Sequence, residues 1–263
     1  MSAGVDLAWE ATGDARAPGV VLVHSLGTDR SIWDSLTDAL RGAYRVLRVD
    51  LRGHGASTAP AGPYSLEQLA GDVLRAADAA CIPRFHYCGI SLGGMVGLHL
   101  ASAHPHRVHG LVAANTAAKI GTAQGWEDRC TAARATGFAP MADGVLARWF
   151  APGFAEREPT RFENARRVLL ATSVEGYVGC CQALAQADLT AALGQITAPA
   201  LVIGGDLDVS TPVVDSEALH AGIGGSRLLV LPGAAHLSNL DASEPFDAAV
   251  TSFLGDCDAS ARN

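Results

Sequence analysis

The sequence is short of positive charge. Lysine and arginine together number 19 against 27 aspartates and glutamates, for a formal net charge of −8 over 263 residues. General nucleic-acid binding needs a basic surface that neutralises phosphates, so nucleic acid is excluded as a partner on this count. A small anion is not excluded, but local cations would have to hold it. Long apolar runs are missing too: none approaches the roughly 20 residues of a membrane helix. The opening stretch, Met1–Glu10, lacks the basic and apolar segments of a secretion signal. These absences predict a soluble, cytoplasmic protein with no membrane partner. No C-x-x-C joins the six cysteines, Cys81, Cys88, Cys130, Cys180, Cys181 and Cys257. Their one close pair, Cys180–Cys181, consists of chain neighbours, which rarely bridge, so reduced thiols are expected. No phosphate loop, dinucleotide fingerprint or zinc motif occurs, and neither a metal nor an organic cofactor is expected.

What is present suits a folded chain of one or two domains. Hydrophobic residues make up 49%, and a chain of this length closes a large core without staples. Short apolar runs recur at 19–24, 44–49, 85–90, 108–115, 200–205 and 227–233. They lack polar alternation, as parallel strands buried on both faces do. One further strand, at about 5–11, precedes them. Helix-length stretches lie between. Leu66–Ala80 follows Ser65 as an N-cap, with Gln68 three residues on, and Leu92–His104 stops at Pro105. The alternation predicts an α/β fold with a mostly parallel central sheet flanked by helices. It breaks between 117 and 190, where Gln124–Thr136, Ala139–Phe150, Thr160–Ala171 and Glu175–Ala187 read as four helices without a strand. The expected organisation is a core of 1–116 and 191–263 with an all-helical cap, 117–190, inserted.

Gly89-Ile90-Ser91-Leu92-Gly93 is G-x-S-x-G. On its own the pattern is weak. Between an apolar strand and an amphipathic helix it is the nucleophile elbow of an α/β-hydrolase. Ser91 then sits at a helix start, where backbone N–H groups are free and negative charge is favoured. The Leu92 N–H is one expected oxyanion donor, and Leu26, in the loop after strand 19–24, offers the other. His24 is expected to brace that loop. In this fold the chain order is Ser, Asp or Glu, His. Of the nine histidines, His220 and His236 lie well beyond the helical insert. His236 follows strand 227–231 in a loop at a carboxyl end, where parallel sheets place their sites, and is chosen as the base. His220 reads as a surface residue. Asp206 and Asp208 compete as the acid. Asp208 lies deeper in its loop and is chosen, with Asp206 holding the turn. Asp50 and Arg52 are expected to tie the loop after strand 44–49. The run His104-Pro105-His106-Arg107-Val108-His109 reads as a helix exit rather than a metal site.

Together these residues carry a resemblance. His24–Asp29, Asp50–Gly55, Gly89–Gly94, Ala114–Gly121 and Ala235–Asn239 resemble the 3-oxoadipate enol-lactonases, over about Gly19–Leu254. The first and third stretches mark α/β-hydrolases broadly. Asn115–Gly121, Gly125-Trp126-Glu127, Ala147–Phe150 and Gly176–Cys181 are more particular to the lactonases. The chain departs from them at its start, with one strand before Gly19 where the family has two. The resemblance implies a small anionic substrate, an unsaturated five-membered lactone with an acetate arm, opened by water to 3-oxoadipate in aromatic catabolism. It implies no cofactor. Another esterase, a different lactonase, a perhydrolase, or a non-catalytic receptor on the same scaffold stays open, because fold does not fix substrate. For the carboxylate the cap offers Lys119, Arg129, Arg134 and Arg148. Trp126 and Arg129, at i and i+3, share a helix face, so Arg129 is expected to bind the anion beside Trp126, with Trp149 as a second wall. The alternative makes Trp126 cap core and Arg129 a surface ion pair.

Overall fold

A computed structural model describes residues 5–262. Seven strands form one sheet: β1 (Trp9–Thr12), β2 (Gly19–Val23), β3 (Arg45–Val49), β4 (Phe85–Ile90), β5 (Val108–Ala114), β6 (Ala200–Gly205) and β7 (Arg227–Leu231). Their order is β1-β3-β2-β4-β5-β6-β7. Every neighbouring pair is parallel except β1 with β3, where Trp9 faces Val49. Every residue of β2, β4 and β6 is buried, which is why those strands carry no polar alternation. The expected strand at 5–11 is the shorter, half-exposed β1. Among the described residues it alone precedes β2.

Helices α1 (Asp34–Leu40), α2 (Leu66–Ala79) and α3 (Leu92–Ala103) alternate with the first strands. The capping box of α2 forms as the sequence predicts, Ser65 accepting from the Gln68 N–H and Gln68 returning to Ser65. Leu69 and Val73 of α2 are fully buried, each burial favouring the fold by roughly 1.5–3 kcal/mol. Pro105 lies just past His104, the C-cap of α3. The central α3 is apolar almost all round and packs on β4 and β5.

Between β5 and β6 run α4 (Ala123–Thr136), α5 (Ala142–Trp149), α6 (Phe154–Arg157), α7 (Pro159–Ala171) and α8 (Val174–Gln186). That is one helix more than the sequence suggests. The extra one, α6, is a single turn, and Pro159 opens α7 directly after it, a position that proline favours. The helix expected from Ala139 begins at Ala142, because Phe138–Met141 close a turn first. Helices α4 and α8 pack together, and Phe138 sits edge-on to Tyr177 with ring centroids 4.9 Å apart. The insert shares one continuous apolar core with the sheet layers. At one point the two approach backbone on backbone: a Cβ on Gly53, in the loop after β3, would lie 2.3 Å from the Gly176 Cα of α8. The chain closes with α9 (Val213–Gly222), α10 (Ser238–Asp241) and α11 (Ser243–Arg262).

Candidate active site

The site grows from the carboxyl ends of the strands. Ser91 joins β4 to α3 at φ 57° and ψ −116°, a conformation that L side chains avoid and that costs about 1–3 kcal/mol. The surroundings hold it there. The Ser91 N–H donates to Ala114 O at 2.9 Å, and the Thr116 hydroxyl donates to Ser91 O at 2.8 Å. A Cβ on Gly89 would stand 2.3 Å from Gly93 O, and one on Gly93 2.2 Å from Val23 O. The G-x-S-x-G glycines are therefore steric requirements of the turn.

His236, in the loop after β7, donates from Nδ1 to Asp208 Oδ2 at 2.8 Å. Both residues are buried. The Asp208 carboxylate also accepts the Ser210 and Thr211 N–H groups at 2.7 and 3.0 Å, the Thr211 hydroxyl at 2.7 Å and the Asn115 amide at 3.0 Å. Burial alone would raise its pKa. The hydrogen bond and charge of His236, with the Asn115 and Thr211 bonds, outweigh that and hold Asp208 below the ordinary carboxylate value. With Nδ1 engaged, the other imidazole nitrogen is left for the cavity that His236 and Ser91 both line. No hydrogen bond joins Ser91 to His236 in this arrangement, and such bonds commonly tighten only with substrate. Asp206 accepts the Gly233 N–H at 2.6 Å and so holds the turn that carries the histidine. His220 lies on α9 at the surface, paired with Ser226.

The loop after β2 is fixed by two buried imidazoles. His24 donates to Ser25 O at 2.7 Å and accepts the Leu51 N–H at 3.0 Å. His54 accepts the Gly27 N–H at 3.0 Å. Burial, then the neighbouring His24, push the His54 pKa down to about 3, and burial also lowers that of His24, so both stay neutral. The held loop presents Leu26, whose N–H donates to no acceptor among the described residues, as is true of the Leu92 N–H at the start of α3. Asp50 ties its loop to the Arg30 and Ala56 N–H groups, as expected. Arg52 reaches further than expected, to Asp72 of α2 at 2.5 and 2.7 Å.

A cavity of about 350 Å³ opens over Ser91, Leu26 and His236. Its far wall is the insert: Trp126 and Arg129 of α4, Arg148 and Trp149 of α5, and Tyr177 of α8. The four insert cations divide here. Lys119 pairs with Asp188 at 3.2 Å and Arg134 with Glu175 at 2.9 Å, both on the exposed surface. Arg129 and Arg148 line the cavity and pair with no carboxylate among the described residues. Burial and the nearby Arg129 charge lower the Arg148 pKa. The Arg129 guanidinium stacks 4.8 Å over Trp126, and the Trp126 indole N–H is anchored on Ile120 O at 2.6 Å. Trp126 is thus both insert core and cavity wall, and Arg129 is not a surface ion pair.

The alpha/beta hydrolase fold family matches residues 18–243. The chain belongs to that family. It is similar to 3-oxoadipate enol-lactonase 2 of Acinetobacter baylyi, 41% identical over 95% of this chain and 93% of that one. It is also similar to 3-oxoadipate enol-lactonase 1 of the same organism, 36% identical over 92% and 91%. The crystal structure of the enol-lactonase from Burkholderia xenovorans superposes with a TM-score of 0.93, at 41% identity over 95% of this chain and 97% of that one. Within this hydrolase two further residues contribute to the site. Asn115 follows the apolar β5 with φ 43° and bonds both Asp208 and Ala235 O; beyond its place in a family-like stretch, a polar residue closing a buried strand is its signal. Asp241 accepts the Ala151 N–H at 3.0 Å and the Ala235 N–H at 2.8 Å, tying the insert to the histidine loop. Nothing local in the sequence marks it.

Proposed function

We propose that this ester-hydrolysing enzyme opens the ring of 3-oxoadipate enol-lactone with water, giving 3-oxoadipate in the β-ketoadipate pathway of aromatic degradation. The carrying observation is the cavity, which sets the Ser91 elbow and the His236–Asp208 pair against two arginines without carboxylate partners. The 41% identity to an enol-lactonase over nearly the whole chain supports the same reading.

In this reading the Ser91 hydroxyl attacks the lactone carbonyl and its proton passes to His236. Asp208 fixes the imidazole tautomer and stabilises the imidazolium. The oxyanion rests on the Leu26 and Leu92 N–H groups, an interaction worth several kcal/mol in such sites. The ring C–O bond breaks to an enolate that stays tethered. The enolate takes on carbon the proton that His236 had accepted, which gives the ketone, removes the route back to the ring and returns His236 to its neutral form. Water, deprotonated by His236, then frees Ser91. Arg129, with Arg148 beside it, holds the acetate arm, while Trp126 and Trp149 flank the flat ring. Residues 117–190 act as the cap over a core of 1–116 and 191–263, and no cofactor takes part.

The test is to follow loss of the enol-lactone with purified protein, beside saturated lactones and neutral esters of similar size. A clear preference in kcat/KM for the anionic enol-lactone is expected. Equal turnover of neutral esters would make the protein a general carboxylesterase, and no turnover of any activated ester would make it a receptor.

A further inference from the structure

At the opposite end of the sheet lies a second histidine–aspartate constellation that the hydrolytic site does not use. His86 and His109 are the second residues of β4 and β5, so they sit at the amino ends of strands whose carboxyl ends carry Ser91 and Asn115. The register between these strands shifts there: Phe85 pairs with Val108 but His86 pairs with Gly110. His109 is the extra residue of that bulge. Bulges re-aim side chains and cluster beside functional sites. Here the two imidazoles meet edge to face, with ring centroids 4.7 Å apart. Gly110 makes room for them, since a Cβ there would stand 2.8 Å from His86 Nδ1.

Asp258 of α11 completes the group. Its Oδ1 lies 3.0 Å from His86 Nε2 and 3.5 Å from His109 Nε2. The Tyr44 hydroxyl donates to its other oxygen at 2.9 Å, which orients the carboxylate and leaves Oδ1 to the imidazoles. One donor atom from each of His86, His109 and Asp258 lies within 4.8 Å of the others. In a tetrahedral site with bonds of about 2.0–2.1 Å, neighbouring donors are about 3.3 Å apart, and the two observed separations bracket that value. The His86 ring is buried and its Nδ1 has no hydrogen-bond partner. A neutral His86 carrying its proton on Nε2 leaves a buried bare Nδ1. One carrying it on Nδ1 turns a bare Nε2 toward the carboxylate. A cation between the three donors removes that second conflict. His109 and Asp258 are 18% and 17% exposed, so the open side faces water.

We propose that His86, His109 and Asp258 bind one divalent transition ion of the zinc class, with solvent completing the coordination. Two imidazole nitrogens and a carboxylate oxygen suit that class. The ion would pin α11 to the start of β4 and β5. The Arg84 charge near both imidazoles would weaken the ion's hold. The histidine run at 104–109 reads from sequence as a helix exit. His104 and His106 keep that role, while His109 belongs to this site with a partner 23 positions earlier in the chain.

The test uses the full chain, freed of metal with a chelator and titrated with Zn²⁺ by calorimetry and thermal unfolding. One saturable site is expected. At about 100 times Kd the unfolding midpoint should rise by several degrees. His109→Ala and Asp258→Asn should each abolish the shift, with His109→Gln as a milder second variant. Tyr44→Phe should weaken binding by about 10–100-fold. His106→Ala and Cys81→Ser should leave binding unchanged. Co²⁺ should give visible tetrahedral bands without thiolate charge transfer. Hydrolysis of an activated ester should be unaffected by His109→Ala, so failure here leaves the proposed reaction untouched. The absence of saturable binding, binding that survives His109→Ala, or binding lost with His106→Ala or Cys81→Ser would overturn the proposal.

Discussion

The sheet and the helical insert each build one wall of the same cavity, and they treat their polar groups in opposite ways. On the sheet side almost every polar atom is spoken for. Asp208 accepts from His236, Asn115, Thr211 and two backbone N–H groups. His24 and His54 spend both ring nitrogens on the backbone of their loops. On the insert side Arg129 and Arg148 face the cavity without a carboxylate. A saturated network fixes positions, because leaving any buried member unpaired costs about 1–3 kcal/mol. Half-buried cations without a carboxylate partner, as Arg129 and Arg148 are, instead leave charge available for an anion in the cavity. The proposed reaction puts the chemical step on the sheet side and recognition on the insert. Substitutions on the two walls should then separate in kcat and KM.

The largest effect is expected at the nucleophile. Ser91→Ala should lower kcat on the order of 10⁶-fold, with an unchanged circular dichroism spectrum. Substantial residual turnover would show that no acyl-enzyme forms on Ser91. Asp208→Asn should follow, with a loss of about 10⁴-fold in kcat from the wrong imidazole tautomer. Asp206→Asn provides the contrast. Asn keeps an oxygen for the Gly233 N–H, so kcat should change by less than about threefold, as for other surface changes. A larger fall for Asp206→Asn than for Asp208→Asn would reverse their roles.

The same saturated network should be visible in stability. His54 titrates near 6.5 when unfolded but at about 3 in the fold, because it is buried and lies beside His24. Above pH 6.5 neither state is protonated and the group has no effect. Between pH 6.5 and 3 the unfolded chain takes a proton that the folded one refuses. Stability therefore falls as pH drops, by about 1.4 kcal/mol per pH unit from this group. His54→Gln retains an acceptor for the Gly27 N–H and removes the titration. Its unfolding free energy, measured by urea melts between pH 6 and 4, should decline less steeply than that of the parent by about that slope. Parallel curves would mean that His54 is protonated in the fold.

The contrast between the walls also explains what the sequence reveals. The elbow, His236 and Asp208 are legible because each follows an apolar strand, and a parallel sheet gathers the loops after its strands at one end. Their roles depend on local spacing and chain order. The insert offers no such frame. Lys119, Arg129, Arg134 and Arg148 look alike as residues, and only the packing of α4 on α8 and the approach of α5 decide which of them turns inward. Asn115 and Asp241 escaped for a related reason. Their hydrogen-bond partners lie up to 123 positions away in the chain, beyond the reach of any periodicity. The single-turn α6 is too short to show a helical period.

The smallest expected effect is the most discriminating for the insert. Arg129 and Arg134 lie on the same helix, yet only Arg134 has found a carboxylate, Glu175. Arg129 sits over Trp126 in the cavity, where a bidentate guanidinium would grip the acetate arm. A hydrogen bond to a charged group contributes about 1.5–3 kcal/mol. Arg129→Gln should therefore raise KM for the anionic lactone by about 10–100-fold. The KM for a neutral ester of similar size should move by less than about threefold, and kcat for either should change little. Arg148→Gln should show the same split. Lys119→Ala and Arg134→Ala should change neither substrate by more than about twofold, since exposed pairs contribute little. If Arg129→Gln and Arg148→Gln weaken both substrates equally, the two arginines shape the wall rather than bind the anion, and the carboxylate must be held from the sheet side.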